Sequence, residues 1–429
     1  MTAVVGILNK QAVALAADSA VTISGVKGRK IFNKANKVFT LSKYHPIGVM
    51  IYNSASFMST PWETIIKMYR KQLGDKSCAT VKAYQEDFLN YLRSKDFFTT
   101  PVTQQVFLKD FAEIIVGDAI SAVASKNQIL LEQPTDENKV RFLALVEENL
   151  IELSDYFNAV DICPEFIDYD FDAFKAHSKN TLDGLVDSTL KQNGFVITDT
   201  IIEVINAAVY AVLKAKETTT SYTGLIFSGF GEDEIYPQLI PINISFVVDN
   251  KIRYYVDEDS VACITTKNDG AIRPFAQQDV IDTILSGIDP ELDSTYLQNF
   301  SSIFKKYNEV ILQTIGDSNP QLKAQVEALN TDVLQSEFAQ MNSLIKTEKY
   351  IVPLMNAVCS LSKEDLAEMA ESLIYLTYLK RRITFAEESV GGPVDVAIIS
   401  KGDGFVWIKR KHYFNPELNK HFFENYFNK

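Results

Sequence analysis

Thr2-Ala3-Val4-Val5-Gly6-Ile7-Leu8-Asn9-Lys10-Gln11-Ala12-Val13-Ala14-Leu15-Ala16-Ala17-Asp18-Ser19 is the stretch whose reading decides the fold. Two short apolar runs, Ala3 to Leu8 and Ala12 to Ala17, flank a polar triplet, which is the pattern of a β-hairpin. Paired positions in an antiparallel hairpin have a constant sum, and a loop centred on Lys10 makes it about 20. Thr2 is therefore expected opposite Asp18 or one residue away, a hydroxyl beside a carboxylate at the strand ends. The run reads as strand and not as a secretory leader, because it lacks a basic start and Asn9 and Lys10 interrupt it.

Working outward, further strands are expected at Asn36 to Leu41 and Ile47 to Ile51, then a helix from Pro61 and Trp62, since Pro suits a first helical turn. From there to Lys216 the pattern is helical, with Phe107, Phe111, Ile114 and Ile115 on one face and Val140, Leu143 and Leu150 on another. Strands resume at Tyr222 to Phe230, Leu239 to Val248, Ile252 to Val256 and Val261 to Thr265. A second helical stretch runs from Phe275 to Arg382, in which Ser362 and Asp365 have capping-box spacing. Two last strands, Val394 to Ser400 and Phe405 to Lys409, flank a Lys401-Gly402-Asp403-Gly404 turn. Blocks of strands segregated from blocks of helices predict an α+β fold built on packed sheets, not an alternating βαβ fold.

Composition narrows the function. With 42 Lys+Arg against 55 Asp+Glu the net charge is −13, which argues against a nucleic-acid backbone as partner. Cys78, Cys163, Cys263 and Cys359 are too far apart for a metal-finger or redox motif, and read as reduced thiols of a cytoplasmic protein. His45, His177, His412 and His421 show no zinc-enzyme spacing. Gly229-Phe230-Gly231 is followed by Glu232, Asp233 and Glu234, which repel phosphate and read as a solvated turn. No metal, cofactor or membrane is called for. The cluster Lys409, Arg410, Lys411 and His412 reads as a solvated strand end. The aromatic tail Tyr413, Phe414, Phe422, Phe423, Tyr426 and Phe427 is expected to dock on the protein or on a neighbouring subunit.

The opening Thr2-Ala3-Val4-Val5-Gly6, then Ala16-Ala17-Asp18-Ser19-Ala20-Val21-Thr22, then Asn36-Lys37-Val38-Phe39, resembles the proteasome β-subunit family of N-terminal nucleophile (Ntn) hydrolases. Ile47-Gly48-Val49-Met50, Gly224 to Phe230, and Ser389-Val390-Gly391-Gly392 continue the resemblance in order. It implies a four-layer α-β-β-α sandwich of two antiparallel sheets. Residues 1–76, 200–288 and 361–429 would then form the core, and 77–199 and 289–360 two helical insertions. It also implies a homo-oligomer acting on peptides or proteins, with a possible unfoldase or regulatory partner.

The chemistry gives those positions a reason. A hydroxyl is a poor nucleophile until a base takes its proton, and an N-terminal Thr carries its own base. An α-amine has a reference pKa of about 7.7–8.0, and a nearby Lys lowers it. In the resemblance Thr2 is the nucleophile once Met1 is removed, Lys37 the lysine beside it and Asp18 the carboxylate that orients Lys37. Lys37 is preferred to Lys34 because it enters the apolar stretch Val38-Phe39. Alternatives remain for each: Thr2 as an ordinary residue, Asp18 as a turn residue, and Lys37 as part of a solvated basic loop.

Two departures bear on activity. The family's glycine-rich oxyanion turn is replaced by Met50-Ile51-Tyr52-Asn53-Ser54, so the backbone N–H of Tyr52 or Asn53 is the expected donor and side chains are expected to crowd the cleft. The family's serine pair is not evident near Thr265 to Gly270. Glu387 stands where an Asp is usual; it either bonds the Thr2 amine or is a surface carboxylate beside Glu388. The reading is a threonine-type amidohydrolase, a peptidase working through an acyl-enzyme. The alternatives are a non-catalytic proteasome-like scaffold or assembly protein, or a small-amide acylase with the same nucleophile.

Overall fold

The computed structural model describes residues 2–25, 28–94, 99–133, 135–217, 221–316, 319–328, 331–384, 390–412, 414–421 and 424. The strands are β1 (Ala3–Asn9), β2 (Ala12–Ala17), β3 (Val21–Gly25), β4 (Gly28–Phe32), β5 (Val38–Thr40), β6 (Ile47–Asn53), β7 (Ser56–Phe57) and β8 (Thr60–Pro61). They continue with β9 (Thr223–Gly229), β10 (Gln238–Val248), β11 (Lys251–Val256), β12 (Ala262–Cys263), β13 (Gly270–Ala276), β14 (Asp395–Ser400) and β15 (Gly404–Lys409). A five-stranded antiparallel sheet has the order β13-β1-β2-β14-β15, and a second antiparallel sheet the order β11-β10-β9-β6-β5 with β12 beside β10.

Alternation along β1 explains why it is apolar at nearly every position. Val4 and Leu8 point one way and meet Met50, Ile226 and Leu239 of the second sheet; Ala3, Val5 and Ile7 point the other way, into a cluster with Leu366, Leu373 and Ile374. A strand buried on both faces needs no polar side, so β1 and β2 read as continuous apolar runs. Gly6 lets the sheets approach, since a Cβ there would lie 2.4 Å from Leu239 Cδ1.

Helices make up two further blocks. The first block is α1 (Trp62–Leu73), α2 (Val81–Arg93), α3 (Pro101–Lys126), α4 (Gln128–Glu132), α5 (Asp136–Asn158), α6 (Phe171–Thr189) and α7 (Asp199–Lys214). The second is α8 (Asp279–Ser286), α9 (Pro290–Ile315), α10 (Pro320–Glu327), α11 (Thr331–Lys346), α12 (Val352–Ser360) and α13 (Lys363–Ile383). Ile65, Phe88, Phe111 and Val209 of the first block share a core with Val49, Ile51, Phe227 and Ile242 of the second sheet. The predicted capping box is present at α13: the Ser362 hydroxyl accepts the Asp365 N–H at 3.2 Å, and the Asp365 carboxylate accepts the Ser362 N–H at 3.3 Å.

Arg253 on β11 is a buried cation among the largest fully buried side chains. Its guanidinium donates to the carbonyls of Val212, Leu213, Ala215 and Glu217, at and beyond the C-terminal end of α7, where unpaired carbonyls carry partial negative charge. No helix among the described residues is long and apolar enough to cross a membrane.

Val21–Gly25 and Gly28–Phe32, for which no strand was expected, pair as β3 and β4. Two expectations are corrected. Gly270–Ala276 forms the edge strand β13, where a helical stretch was expected to start at Phe275. Ile114 and Val140, placed with apolar helix faces, are exposed. Of the aromatic tail, Tyr413, Phe422, Phe423, Tyr426 and Phe427 lie outside the described residues; Phe414 packs edge-on against His412.

Candidate active site

Strand pairing builds the site from its floor. Val4 faces Ala17, and one step on the Asp18 N–H donates to the Ala3 carbonyl at 3.1 Å. Thr2 therefore comes opposite Ser19, one residue from the register centred on Lys10. The Asp18 carboxylate, 1% exposed, takes four donors: Oδ1 accepts the Ala3 N–H at 2.9 Å and the Lys37 ammonium at 2.6 Å, and Oδ2 accepts the N–H groups of Ala20 at 3.0 Å and Gly391 at 3.1 Å. It is thus the junction of the N-terminal strand, the β2–β3 turn, the approach to β5 and the approach to β14.

Lys37 is 3% exposed and makes a second bond, to the Ala20 carbonyl at 2.5 Å, while Lys34 is exposed. Burial pushes the Lys37 ammonium below its ordinary value, and the attraction and hydrogen bond of Asp18 oppose that shift. A cation so deeply buried is kept charged by its carboxylate, not by water.

Thr2, 5% exposed, is held through its carbonyl, which accepts the Gln277 N–H at 3.2 Å. Gln277 is itself buried, and its side-chain oxygen accepts from Arg381 Nε at 2.7 Å. The preceding residue, Ala276, has a left-handed φ of 66°, an uncommon conformation for a residue with a Cβ. It sits directly opposite Ala3, so the edge strand bends where it holds the start of the chain.

The Met50 to Ser54 stretch is less crowded by Tyr52 than its sequence suggested. The Tyr52 ring does not crowd a cleft: it is buried between the sheets, 5.6 Å from the Phe275 ring, and its hydroxyl donates to Asn243 at 3.2 Å. Burial raises its phenol pKa. The ring occupies the space over Gly224, where a Cβ would lie 1.9 Å from it. Gly224→Ala is accordingly expected to displace Tyr52 and to cost about 1–3 kcal/mol of stability. An unchanged melting temperature and near-ultraviolet circular dichroism would show that the ring is not wedged there.

Backbone direction separates the two candidate donors. The Ile51 N–H donates to the Lys37 carbonyl at 2.8 Å, toward the β5 side of β6. Strand N–H groups alternate, so Tyr52 directs its N–H to β9 and Asn53 directs its own to the edge that carries Lys37. Asn53 has a φ of 66°, and its exposed side chain turns away to the Tyr222 carbonyl at 2.9 Å. Glu387 and Ser389 lie outside the described residues.

A second ion pair, buried on its carboxylate side, was not anticipated. Asp395, next to Ala17 in the sheet, pairs with Lys411 and accepts the Lys411 N–H at 2.9 Å. Lys411 is therefore largely covered by its partner and is not part of a solvated strand end, whereas Lys409 follows expectation, pairing with Glu371 at the surface. The charges of Lys411 and Asp395 reach Lys37 with opposite sign. Nothing local in the sequence marks Asp395 as a partner, because Lys411 comes back to it only through the β14–β15 hairpin. The Ser19 hydroxyl donates to the Pro393 carbonyl, and the Ser19 N–H donates to the Gly391 carbonyl at 3.0 Å, fixing the same approach to the sheet. No group of His, Cys, Asp and Glu able to hold a metal ion occurs among the described residues.

No protein-family model and no curated protein matches the chain. A solved structure of a Gly-1 mutant of Anbu from Hyphomicrobium sp. strain MC1 is similar at 11% identity and a TM-score of 0.27, over 99% of this chain and 95% of that one.

Proposed function

We propose that the protein is an N-terminal nucleophile hydrolase of threonine type, cleaving amide bonds in peptides through an acyl-enzyme at Thr2. The observation that carries the reading is the buried Asp18–Lys37 pair, whose carboxylate also holds the N–H of Ala3, the residue after Thr2. The reading takes the two facing sheets and their helices as an α-β-β-α sandwich of residues 1–76, 200–288 and 361–429. Residues 77–199 and 289–360 are its insertions.

In this reading the neutral Thr2 amine takes the proton of the Thr2 hydroxyl as Oγ attacks the substrate carbonyl carbon. The Asn53 N–H receives the developing oxyanion. Collapse of the tetrahedral intermediate breaks the C–N bond, and the Thr2 ammonium returns its proton to the departing amine. Water, deprotonated by the same amine, then cleaves the ester and restores Thr2. Lys37 remains charged throughout and lowers the cost of proton loss from the hydroxyl; Asp18 holds Lys37. Glu387 is the proposed partner of the Thr2 amine. The burial of the Tyr52 ring between the sheets supports this reading over a non-catalytic scaffold, for which side chains crowding the cleft would speak.

Intact mass spectrometry after treatment with an electrophile directed at N-terminal threonine tests this reading. The expected result is a single adduct that maps to the peptide beginning at Thr2. A chain with a free Thr2 amine that takes up no label would overturn it.

A further inference from the structure

We propose that α9 and α11 form a docking face for a second copy of this chain. No residue of α9 or α10 is buried, although α9 is a 26-residue helix with a regular apolar pattern. Tyr296, Ile303, Tyr307 and Val310 fall at helical spacing along it, and all four are more than half exposed. On α11, Leu334, Met341 and Ile345 form a matching exposed row, with Met341 62% exposed.

The two rows belong to one surface. Phe300 of α9 stacks on Phe338 of α11 with ring centroids 4.0 Å apart, and Asp293 pairs with Lys346. Going from Asp293 to Phe300 along α9, the partner steps back from Lys346 to Phe338 along α11, so the helices run antiparallel and in register. Their rows lie side by side over the length of α11, a 16-residue helix about 24 Å long, and α9 runs on beyond it. Seven large side chains, two of them tyrosines and five aliphatic, each about half exposed or somewhat more, leave on the order of 500 Å² of apolar surface, taking ~150 Å², the low end for a ring side chain, as the ceiling for each. That lies toward the top of the ~300–600 Å² of the largest apolar patch on a monomer, which is often functional. It is more than half of the ~800 Å² per partner that a standard stable interface buries.

The occupant follows from the geometry. An antiparallel helix pair with one open apolar face is half of a four-helix bundle, and a second copy supplies a face of the same length, area and polarity. A two-fold arrangement lets each hairpin serve as both donor and acceptor of the contact, so the assembly closes. This inference does not depend on chemistry at Thr2.

Charge placed on the face tests it in the full-length protein. Ile303, Tyr307 and Met341 are exposed, so changing all three to Glu, or all three to Lys, is expected to leave far-ultraviolet circular dichroism unchanged and melting cooperative, with the melting temperature no longer dependent on protein concentration. By sedimentation equilibrium each variant is expected to have half the mass of the wild-type particle, with association weakened at least 100-fold. Mixing the Glu variant with the Lys variant is expected to restore the wild-type mass. A wild-type chain that is monomeric at tens of micromolar would overturn the proposal, since the face is then left open or covered by something else. Variants that keep the wild-type mass, or a mixture that stays at half of it, would overturn it as well.

Discussion

Asp18→Ala is expected to destabilise the protein by about 3–5 kcal/mol, the usual cost of removing one member of a buried ion pair. The substitution strips the charge partner from Lys37, 3% exposed, and leaves the N–H groups of Ala3, Ala20 and Gly391 without their acceptor. Each orphaned buried donor carries its own desolvation cost, so the loss spreads over four segments. The denaturant midpoint measures it. Adding Lys37→Met to Asp18→Ala removes the stranded cation and is expected to recover much of the charge contribution, but none of the backbone contribution. A midpoint within error of wild type for Asp18→Ala alone would show that the carboxylate is not the junction described. The sign of the pH dependence follows from Lys37. Its native pKa is lowered, so between that value and the ordinary one the unfolded chain binds more protons than the native state. Stability contributed by this group therefore rises with pH across that window, and its burial cost is present in full below it.

How much of this was legible in the sequence depended on whether a residue's partner was local. The β1–β2 hairpin was readable because both strands are apolar throughout and a short polar turn joins them, which sets the register of Thr2 and Asp18 to within one residue. The capping box at Ser362 was readable for the same reason. Gly270–Ala276 was not, because Arg273 and Pro274 break the apolar pattern; Pro is tolerated there because β13 is an edge strand of the sheet. The pairing of β3 with β4 was hidden by residues such as Lys30, which is exposed on a two-stranded ribbon outside the two main sheets.

The site divides in the same way. Lys37 stood out because a lysine ahead of Val38-Phe39 must either be exposed or find a partner, and the family resemblance implied Asp18 as that partner. Asp395 and Gln277 did not stand out, since their partners Lys411 and Arg381 reach them only through the folded chain. The acidic run after Gly231 was read as solvated, yet Glu234 accepts the N–H groups of Gly231 at 2.7 Å and Val81 at 3.1 Å, placing a carboxylate at the start of α2. A charge seen only as composition looks like surface. Tertiary structure shows which charges are held.

Thr2→Ala is expected to abolish labelling and amide hydrolysis, with a rate loss of at least about 10⁴-fold, because it deletes the atom that forms the acyl bond. Thr2→Ser keeps the hydroxyl and the amine and is expected to stay within about tenfold of wild type, which separates loss of the nucleophile from damage to the strand. The pH profile of the second-order labelling rate tests the roles of the amine and the lysine together. Attack needs a neutral amine, so the rate rises through the amine pKa, whose reference is about 7.7–8.0 and which the Lys37 charge lowers. It also needs Lys37 charged, so the rate falls again at higher pH, as Lys37 loses its proton below its ordinary pKa. In Lys37→Met the alkaline fall is expected to vanish and the acidic limb to move up toward the reference value, with a lower plateau. A Thr2→Ala protein that keeps more than a tenth of the wild-type rate would remove Thr2 from the chemistry. An unchanged pH profile in Lys37→Met would leave the Asp18–Lys37 pair a purely structural clamp.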